Sequence, residues 1–372
     1  MRFGVDAIRL SGQRFGIGRY TEYLLKHWNT LLEPSERVVV FVRDPFDKEA
    51  LGLSDAFEVR VLASRMGGVV WEHFVLARHW REVDVLFGPS YTVPLNYRGR
   101  SVVATHSVNE VHEGAHTRWY DLTWKQRNRL SARKADAVIV PSESARQHVV
   151  DLYRIPPDRI DIVPEGVDDS FRPVEDERVL RETREKFFGE DRPYILFVGK
   201  FSQRRNIPVL IQAFGELKRR NGIPHGLLLY GANVHNLPIE EITSDAGVSD
   251  SVVQINEKLA RHEDIIPVYS AADLYAFPSA YEGFSLTVCE AMACGTPVVT
   301  VNRGAVAEIV DGAAMTVEEP DVPSLADAME RVLRDRELHA SLRAKALDRV
   351  RLFRWEETAR GTLDVLRRVA AS

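Results

Sequence analysis

Two glutamates, Glu282 and Glu290, flank the beginning of a predicted helix and could accept hydrogen bonds from hydroxyl groups. The apolar run at 274–277 predicts a buried strand, Gly283 permits a tight turn, and from Ser285 apolar residues recur at helical spacing. The start of the helix leaves unpaired N–H groups at the positive end of the helix dipole, which binds anions. These donors belong to Phe284, Ser285 and Leu286. An anion site between two hydroxyl acceptors suits a ligand with sugars on both sides of a phosphate group, that is, a nucleotide sugar.

Residues 278–297 resemble the Glu-x7-Glu signature of retaining glycosyltransferases of the family 4 type. The family usually has Glu-Gly-Phe-Gly-Leu, and this chain has Ser285 where the second glycine is commonest. The resemblance implies that Glu282 faces the donor sugar and that Glu290 accepts hydrogen bonds from the ribose hydroxyls. Taken alone, a glutamate in a turn or helix is most often a solvated surface residue, although Glu290 lies in a helix with few polar residues.

Three cations follow another predicted strand, 194–198, in the glycine turn 199–206. Any one of them is more often a solvated surface charge, but a cluster at the carboxyl end of a strand can offset the charge of a diphosphate. The resemblance extends to this turn and points to Lys200 and Arg205, with arginine in place of the commoner lysine at the second position. It implies that both stabilise the diphosphate that leaves during sugar transfer.

A glycine loop that contains Gly16, Ile17 and Gly18 joins the first predicted strand, 3–8, to the first helix. A dinucleotide-binding fingerprint needs G-x-G-x-x-G, and here the third position is Thr21, so a site for NAD is a weak alternative. The family has Gly-Ile-Gly-Arg-Tyr at this place, and the resemblance implies that the loop approaches the donor diphosphate. An ordinary turn between strand and helix is the remaining alternative.

His106 ends the predicted strand 101–105, at the edge of an α/β sheet where ligands bind. A lone histidine is more often structural, but the family often has His-Asp here, and the resemblance places His106 near the outer hydroxyls of the donor sugar. Ser107 stands where the family has the aspartate, so the resemblance does not identify the donor sugar. Lys258 follows the predicted strand 252–255, where the resemblance implies backbone contacts to the nucleobase.

The composition argues against several other classes of protein. A hydrophobic content of 45% and a charged content of 28% are typical of globular proteins, and a net charge of −5 argues against a nucleic-acid partner. No window approaches the roughly 18 apolar residues of a membrane span, and because a predicted strand begins at Phe3 we expect no signal peptide. Cys289 and Cys294 are predicted to be small buried residues, and we find no Asp-x-Asp motif or clear metal-ligand cluster. We therefore expect a cytoplasmic protein that needs no metal or other cofactor.

One segment could bring the protein to a membrane. Residues 116–134 predict a basic, aromatic-rich helix that could touch an anionic membrane surface, although a solvated face over a core stripe is the favoured interpretation. A lipid-linked acceptor would be consistent with such peripheral contact at the inner face of the cytoplasmic membrane.

Strands that alternate with helices predict an α/β fold with parallel sheets, and a length of 372 residues favours two domains. We expect an N-terminal, acceptor-side domain over residues 1–168 and a donor-binding domain over residues 169–352. The resemblance implies the GT-B fold, in which two Rossmann-like domains face each other across a cleft. It also implies that the C-terminal helix, 353–372, crosses back to pack on the first domain.

The resemblance implies a retaining hexosyltransferase of the mannosyltransferase type that uses a nucleotide-diphospho-sugar. GDP-mannose is the first choice of donor, and UDP-glucose or UDP-N-acetylglucosamine (UDP-GlcNAc) is the second. The acceptor would be a hydroxyl of a glycan or lipid-linked molecule in surface polysaccharide or glycolipid synthesis. Two alternatives stay open: a non-catalytic nucleotide-sugar-binding protein and a sugar-nucleotide 2-epimerase of similar architecture. A requirement for an acceptor would separate transferase from epimerase, and turnover of a labelled donor would exclude a mere binding protein.

Overall fold

The computed structural model describes residues 1–10, 16–65, 67–108, 124–256, 259 and 261–372. The chain divides into two compact units. Unit 1 comprises Met1–Gly166 together with Arg354–Ser372, and unit 2 comprises Val167–Phe353.

Unit 1 is built on a parallel sheet of seven strands within the described residues, in the order β3-β2-β1-β4-β5-β6-β7. Its strands are β1 (Arg2–Asp6), β2 (Arg37–Val42), β3 (Phe57–Val61), β4 (Val85–Gly88), β5 (Arg100–Ala104), β6 (Ala137–Val140) and β7 (Ile160–Ile162). Its first helices are α1 (Ile17–Leu31), α2 (Gly68–Phe74), α3 (Gln126–Lys134) and α4 (Glu143–His148). The central strands are apolar on both faces, because helices cover both sides of a parallel sheet. In β2, for example, every residue after Arg37 is buried.

Unit 2 repeats this architecture with six parallel strands in the described residues, in the order β10-β9-β8-β11-β12-β13. The strands are β8 (Tyr194–Val198), β9 (Gly226–Tyr230), β10 (Val252–Ile255), β11 (Leu274–Phe277), β12 (Val298–Val301) and β13 (Met315–Val317). The helices are α5 (Glu177–Phe188), α6 (Ile207–Asn221), α7 (Ile239–Asp245), α8 (Ile266–Ser270), α9 (Leu286–Ala293), α10 (Gly304–Val310), α11 (Val322–Arg334) and α12 (Arg336–Arg349). Both cysteines, Cys289 and Cys294, are buried in its core, as the sequence predicts.

The last helix, α13 (Trp355–Ala371), belongs to unit 1 although it follows unit 2 in the chain. The indole of Trp28 on α1 donates a hydrogen bond of 2.9 Å to the carbonyl of Ala359. Near the end of the helix, the guanidinium of Arg367 pairs with the carboxylate of Glu36 at 2.8 Å, and this pairing holds the pKa of Glu36 below its usual value. A buried indole and a partly buried ion pair thus fix both halves of the helix to α1 and to the loop that follows it.

Two segments differ from what their sequence pattern predicts. The pattern over residues 69–80 predicts one helix, but the helix ends at Phe74 and a short 3-10 turn, Leu76–His79, follows. The pattern over residues 262–272 also predicts one helix, but this segment begins as a 3-10 turn before α8. Part of the predicted basic helix, 116–123, lies outside the described residues. None of the described helices combines the length and the apolar composition that crossing a membrane requires.

Candidate functional site

Glu282 lies in the loop after β11, with its side chain only 10% exposed between two guanidinium groups. Its Oε1 lies 2.8 Å from Arg204 and 3.1 Å from Nε of Arg205, and it accepts a hydrogen bond of 3.0 Å from the hydroxyl of Ser279. Burial alone would raise the pKa of Glu282, but the charges of Arg205 and Arg204 outweigh it and hold the pKa below its usual value. The carboxylate is therefore ionised at neutral pH.

The loops that follow β8 and β11 are joined by three further hydrogen bonds. The amide of Asn206 donates to the carbonyl of Pro278 at 2.8 Å, and the N–H of Ala280 donates to the carbonyl of Arg204 at 2.8 Å. The guanidinium of Arg204 also donates to the carbonyl of Tyr281. Because β8 and β11 are neighbours in the sheet, their carboxyl ends meet, and these bonds fix the cations against the acidic loop.

Gly199 makes this close approach possible. Its φ of +141° lies outside the range that L side chains readily adopt, and a Cβ there would lie 2.2 Å from the guanidinium of Arg205. That guanidinium also donates to the carbonyl of Lys200 at 3.2 Å and lies over the ring of Phe277, 5.7 Å from its centroid. The Lys200 side chain is exposed beside it. The structure thus brings together Lys200 and Arg205, and it adds Arg204.

Glu290 is buried on α9, and both of its carboxylate oxygens contact other side chains. Oε2 accepts a hydrogen bond of 2.8 Å from the hydroxyl of Tyr269, and Oε1 lies 2.7 Å from Nε2 of His262. Burial, reinforced by the charge of Glu290, holds the pKa of Tyr269 well above its usual value, so the hydroxyl remains a donor. His262 retains 22% exposure of its side chain and packs against Phe171. A ribose hydroxyl that reached Glu290 would therefore share or replace the bond to His262.

The three predicted amide donors lie at the beginning of α9. Ser285 precedes the helix in a non-helical conformation, with φ −150° and ψ 88°, and its carbonyl accepts from the N–H groups of Val288 and Cys289. Phe284 is buried against Phe353, and Leu286 is the first helical residue. The helix start thus lies only a few residues from Glu282, as the spacing predicts. Lys258 lies outside the described residues.

In unit 1, His106 lies beyond the end of β5 and is held on both sides of its ring. Nδ1 lies 2.7 Å from the carboxylate of Glu165, and Nε2 lies 2.8 Å from the carbonyl of Pro89. A carbonyl oxygen can only accept, so Nε2 carries a proton. Burial lowers the pKa of His106, but the hydrogen bond and the charge of Glu165 raise it by more. The pKa of His106 therefore lies above its usual value.

The glycine loop of the sequence analysis is connected to this histidine. Gly16 caps α1 with a φ of +41°, and Ile17 and Gly18 form its first turn. On the same helix, the ring of Tyr20 packs edge-on against His106, with centroids 4.6 Å apart. The described part of unit 1 therefore brings the α1 start and His106 into one neighbourhood.

Three residues of these arrangements were missed by the sequence analysis as site candidates: Arg204, Glu165 and His262. Arg204 was visible as a cation in the glycine turn. Glu165 follows a strand end directly before Gly166, and that position was the one available signal for it. Among the described residues, no group of three or more His, Cys, Asp or Glu side chains could hold a metal ion.

Comparison with known families finds a match in each half of the chain. Residues 180–349 match the family model described as glycosyl transferases group 1, and residues 16–171 match the model of glycosyltransferase family 4. The chain belongs to the glycosyltransferases of the group 1 and family 4 type. The family and the fold class expected from the sequence are thereby confirmed.

Individual relatives of this glycosyltransferase differ in what their names describe. This chain is 33% identical over 255 residues to a D-inositol 3-phosphate glycosyltransferase of Nocardioides sp., and the match covers 64% of this chain and 54% of the relative. The chain thus spans little more than half the length of that relative. It is 25% identical over 294 residues to O-antigen chain mannosyltransferase B of Escherichia coli, covering 75% of this chain and 73% of the relative. The structure of Anabaena Alr3699/HepE in complex with UDP-glucose superposes with a TM-score of 0.76 and 16% identity, covering 98% of this chain and 99% of that chain.

Proposed function

We propose that this glycosyltransferase moves a hexosyl group from a nucleotide-diphospho-sugar to a hydroxyl of an acceptor. The observation that carries the proposal is the contact of Arg204 and Arg205 with Glu282, which lies a few residues before the start of α9, with Lys200 exposed in the same glycine turn as the arginines. Breaking the bond between sugar and phosphate leaves negative charge on the diphosphate. Fixed cations and amide donors that already point at that charge stabilise the transition state most effectively.

Glu282 would have two tasks in this reaction. Without a donor it neutralises Arg204 and Arg205, which would otherwise be two partly buried cations without a counter-charge. When a diphosphate binds, its oxygens can take over the guanidinium groups, and the carboxylate becomes available to hydroxyls of the donor sugar. We propose that Glu290 accepts from the ribose and that the backbone at Lys258 contacts the nucleobase.

Unit 1 would supply the remaining groups. We propose that Gly16, Ile17 and Gly18 offer N–H groups to the diphosphate, because they form the start of a helix. The Nε2–H of His106, which donates to the carbonyl of Pro89 in this structure, would turn to a hydroxyl of the donor sugar when the donor binds. Retention of configuration, with the leaving phosphate assisting deprotonation of the acceptor, is part of the same proposal.

GDP-mannose is the proposed first choice of donor, supported by the similarity to O-antigen chain mannosyltransferase B. UDP-glucose and UDP-GlcNAc are the second choice, and the UDP-glucose complex of the Anabaena protein, which shares the fold, supports testing them. The proposed acceptor is a glycan or lipid-linked hydroxyl.

Thermal stabilisation by GDP, UDP, ADP, dTDP and NAD tests the donor-site assignment. A ligand at 100 times its dissociation constant adds about 2.7 kcal/mol, which for a protein of this size raises the melting temperature by several degrees. We expect one nucleoside diphosphate to stabilise the protein selectively, and the Arg205→Gln variant to lose most of that shift. Stabilisation by NAD alone would contradict the proposal and favour the dinucleotide alternative for the Gly16 loop.

A further inference from the structure

Strand β3 lies at one edge of the unit 1 sheet and has β2 as its neighbour. Directly after the strand, the N–H of Leu62 donates to the carbonyl of Val42 on β2 at 2.8 Å. In a parallel pair, the N–H and the C=O of one residue point to the same side of the strand, and alternate residues share that side. Glu58 and Arg60 therefore bond to β2 as well. The residues whose main-chain groups point outward are Phe57, Val59 and Val61.

This outer edge is open in the part of the chain that the structure describes. No described strand pairs with it, and within the described residues no hydrogen bond involves the N–H of Val59 or Val61. Val61 is also 45% exposed. A groove of about 660 Å³ beside the first residues of β3 is lined by the strand itself and by Arg2, Arg37, Phe46 and Lys48. An exposed row of unpaired N–H and C=O groups is a template for pairing with another strand.

The two charged residues of β3 favour one partner and one register. Glu58 and Arg60 lie on the same face of the sheet, with side chains 42% and 49% exposed. If β3 pairs antiparallel with β3 of a second copy and Val59 lies opposite Val59, then Glu58 of each copy lies opposite Arg60 of the other. Opposite charges across an antiparallel pair are stabilising. The neighbouring registers place Glu58 opposite Glu58 or Arg60 opposite Arg60, which is destabilising.

We propose that β3 pairs with β3 of a second copy of this chain, so that the two unit 1 sheets form one continuous sheet across a two-fold axis. The N–H of each Val59 donates to the carbonyl of the other Val59. The N–H of each Val61 donates to the carbonyl of Phe57 in the other copy, which also covers the exposed Val61 side chain. Two-fold symmetry forms both charge pairs and both sets of hydrogen bonds together. This proposal does not depend on the proposed function.

Helix α2 adds an apolar contact to this pairing. Trp71 of α2 packs in one cluster with Val39 and Phe41 of β2. These two residues are the sheet partners of Glu58 and Arg60, so α2 lies on the charged face of β3. Because the two-fold axis is perpendicular to the sheet, both copies of α2 lie on that same face. The apolar side chains that α2 exposes are Val69, Val70 and Phe74.

Charge reversal on β3 tests the partner and the register together. By sedimentation velocity we expect wild type to be a dimer at micromolar concentrations. Arg60→Glu and Glu58→Arg should each raise its dissociation constant at least about tenfold, because symmetry creates two pairs of like charges. An equimolar mixture of these two variants should form a heterodimer, because a positive strand then lies opposite a negative one. Val59→Pro should also prevent dimerisation, since it removes an outward N–H that β2 does not use.

Two further variants serve as controls, and circular dichroism shows whether each variant is folded. Arg178→Glu is the matched control, because Arg178 is an exposed arginine of α5 that lies 3.8 Å from Glu182, and it should leave the dimer unchanged. The double variant Glu58→Arg/Arg60→Glu restores unlike charges across the axis and should dimerise as wild type does. It decides the matter if a single variant fails to fold.

Three results would overturn the proposal. A wild type that remains monomeric at these concentrations would mean that the charges of β3 protect the edge from pairing. A dimer that both charge reversals and Val59→Pro leave intact would mean that another surface forms the interface. Monomers in both the mixture and the double variant would refute the register in which Val59 lies opposite Val59.

Discussion

Replacing Glu282 with glutamine should tighten the binding of a nucleoside diphosphate while slowing sugar transfer. In the structure, the Glu282 carboxylate contacts Arg204 at 2.8 Å and Arg205 at 3.1 Å, and these are the groups that a diphosphate would contact. The diphosphate therefore competes with Glu282 for the same cations. Glutamine keeps the shape and the acceptor oxygen but removes the competing charge, so both guanidinium groups become easier for phosphate to reach.

The magnitude follows from the strength of the contacts that are lost. Hydrogen bonds to charged groups contribute about 1.5–3 kcal/mol, and relief of only about 1.4 kcal/mol lowers the dissociation constant tenfold. Because the Glu282 side chain is 10% exposed, solvent screens these contacts weakly. Transfer should fall about 10–10²-fold in kcat, because the hydroxyls of the donor sugar lose a charged hydrogen-bond acceptor worth about 1.5–3 kcal/mol.

Isothermal titration with the preferred nucleoside diphosphate and a donor-consumption assay measure the two effects separately. Arg205→Gln should weaken nucleotide binding and transfer together, which gives the opposite sign in the binding experiment. Glu177→Gln is the matched control, since Glu177 is a largely exposed partner of Arg184 in the same unit. If Glu282→Gln weakens nucleotide binding as Arg205→Gln does, then Glu282 holds the loop in shape and does not compete with phosphate.

Three further predictions concern stability, pH and metals. Tyr269→Phe removes the hydroxyl that donates to the buried carboxylate of Glu290, and we expect the free energy of unfolding of unit 2 to fall by about 1–3 kcal/mol. Calorimetry should show a lower melting temperature, and an unchanged melting temperature would contradict the hydrogen bond. Because the folded pKa of His106 is raised, its contribution to unfolding free energy should be fully present below pH 6.5 and disappear as pH rises through the folded pKa. Urea unfolding of wild type and His106→Gln at pH 6 and pH 9 should therefore show a difference that shrinks at the higher pH, and a growing difference would refute the pairing with Glu165. Transfer should persist after dialysis against EDTA, because Lys200, Arg204 and Arg205 are proposed to supply the positive charge; loss that Mg²⁺ restores would contradict this.

The parallel sheets could be predicted from the sequence because their strands are buried on both faces. Val198 closes an uninterrupted apolar run, and the strand predicted over 194–198 matches β8. The last strand, β13, was not predicted, because it has three residues at the sheet edge and only one of them is buried. The break after Phe74 was also missed, since the apolar spacing continues into the 3-10 turn and gives no local stop signal.

Part of the candidate site could be predicted because the ends of the strands could be predicted. Strand ends identify the edge of the sheet, so Lys200, Arg205 and Glu282 were all assigned to one edge from the sequence. Periodicity does not say which side chains meet there. The contact between His106 and Glu165 joins residues 59 positions apart, and the contact between Glu72 and Arg127 joins residues 55 positions apart. Such pairs are decided by the packing of whole elements, which local patterns do not contain.

Acceptor-dependent release of nucleoside diphosphate tests the central claim most directly. Wild type and the double variant Lys200→Ala/Arg205→Gln are incubated with GDP-mannose, UDP-glucose or UDP-GlcNAc, with and without a mixture of neutral glycosides. We predict that wild type consumes one donor faster when an acceptor is present, and that the double variant loses this activity while remaining folded. A protein that binds a nucleoside diphosphate but consumes no donor, or a double variant as active as wild type, would contradict the account.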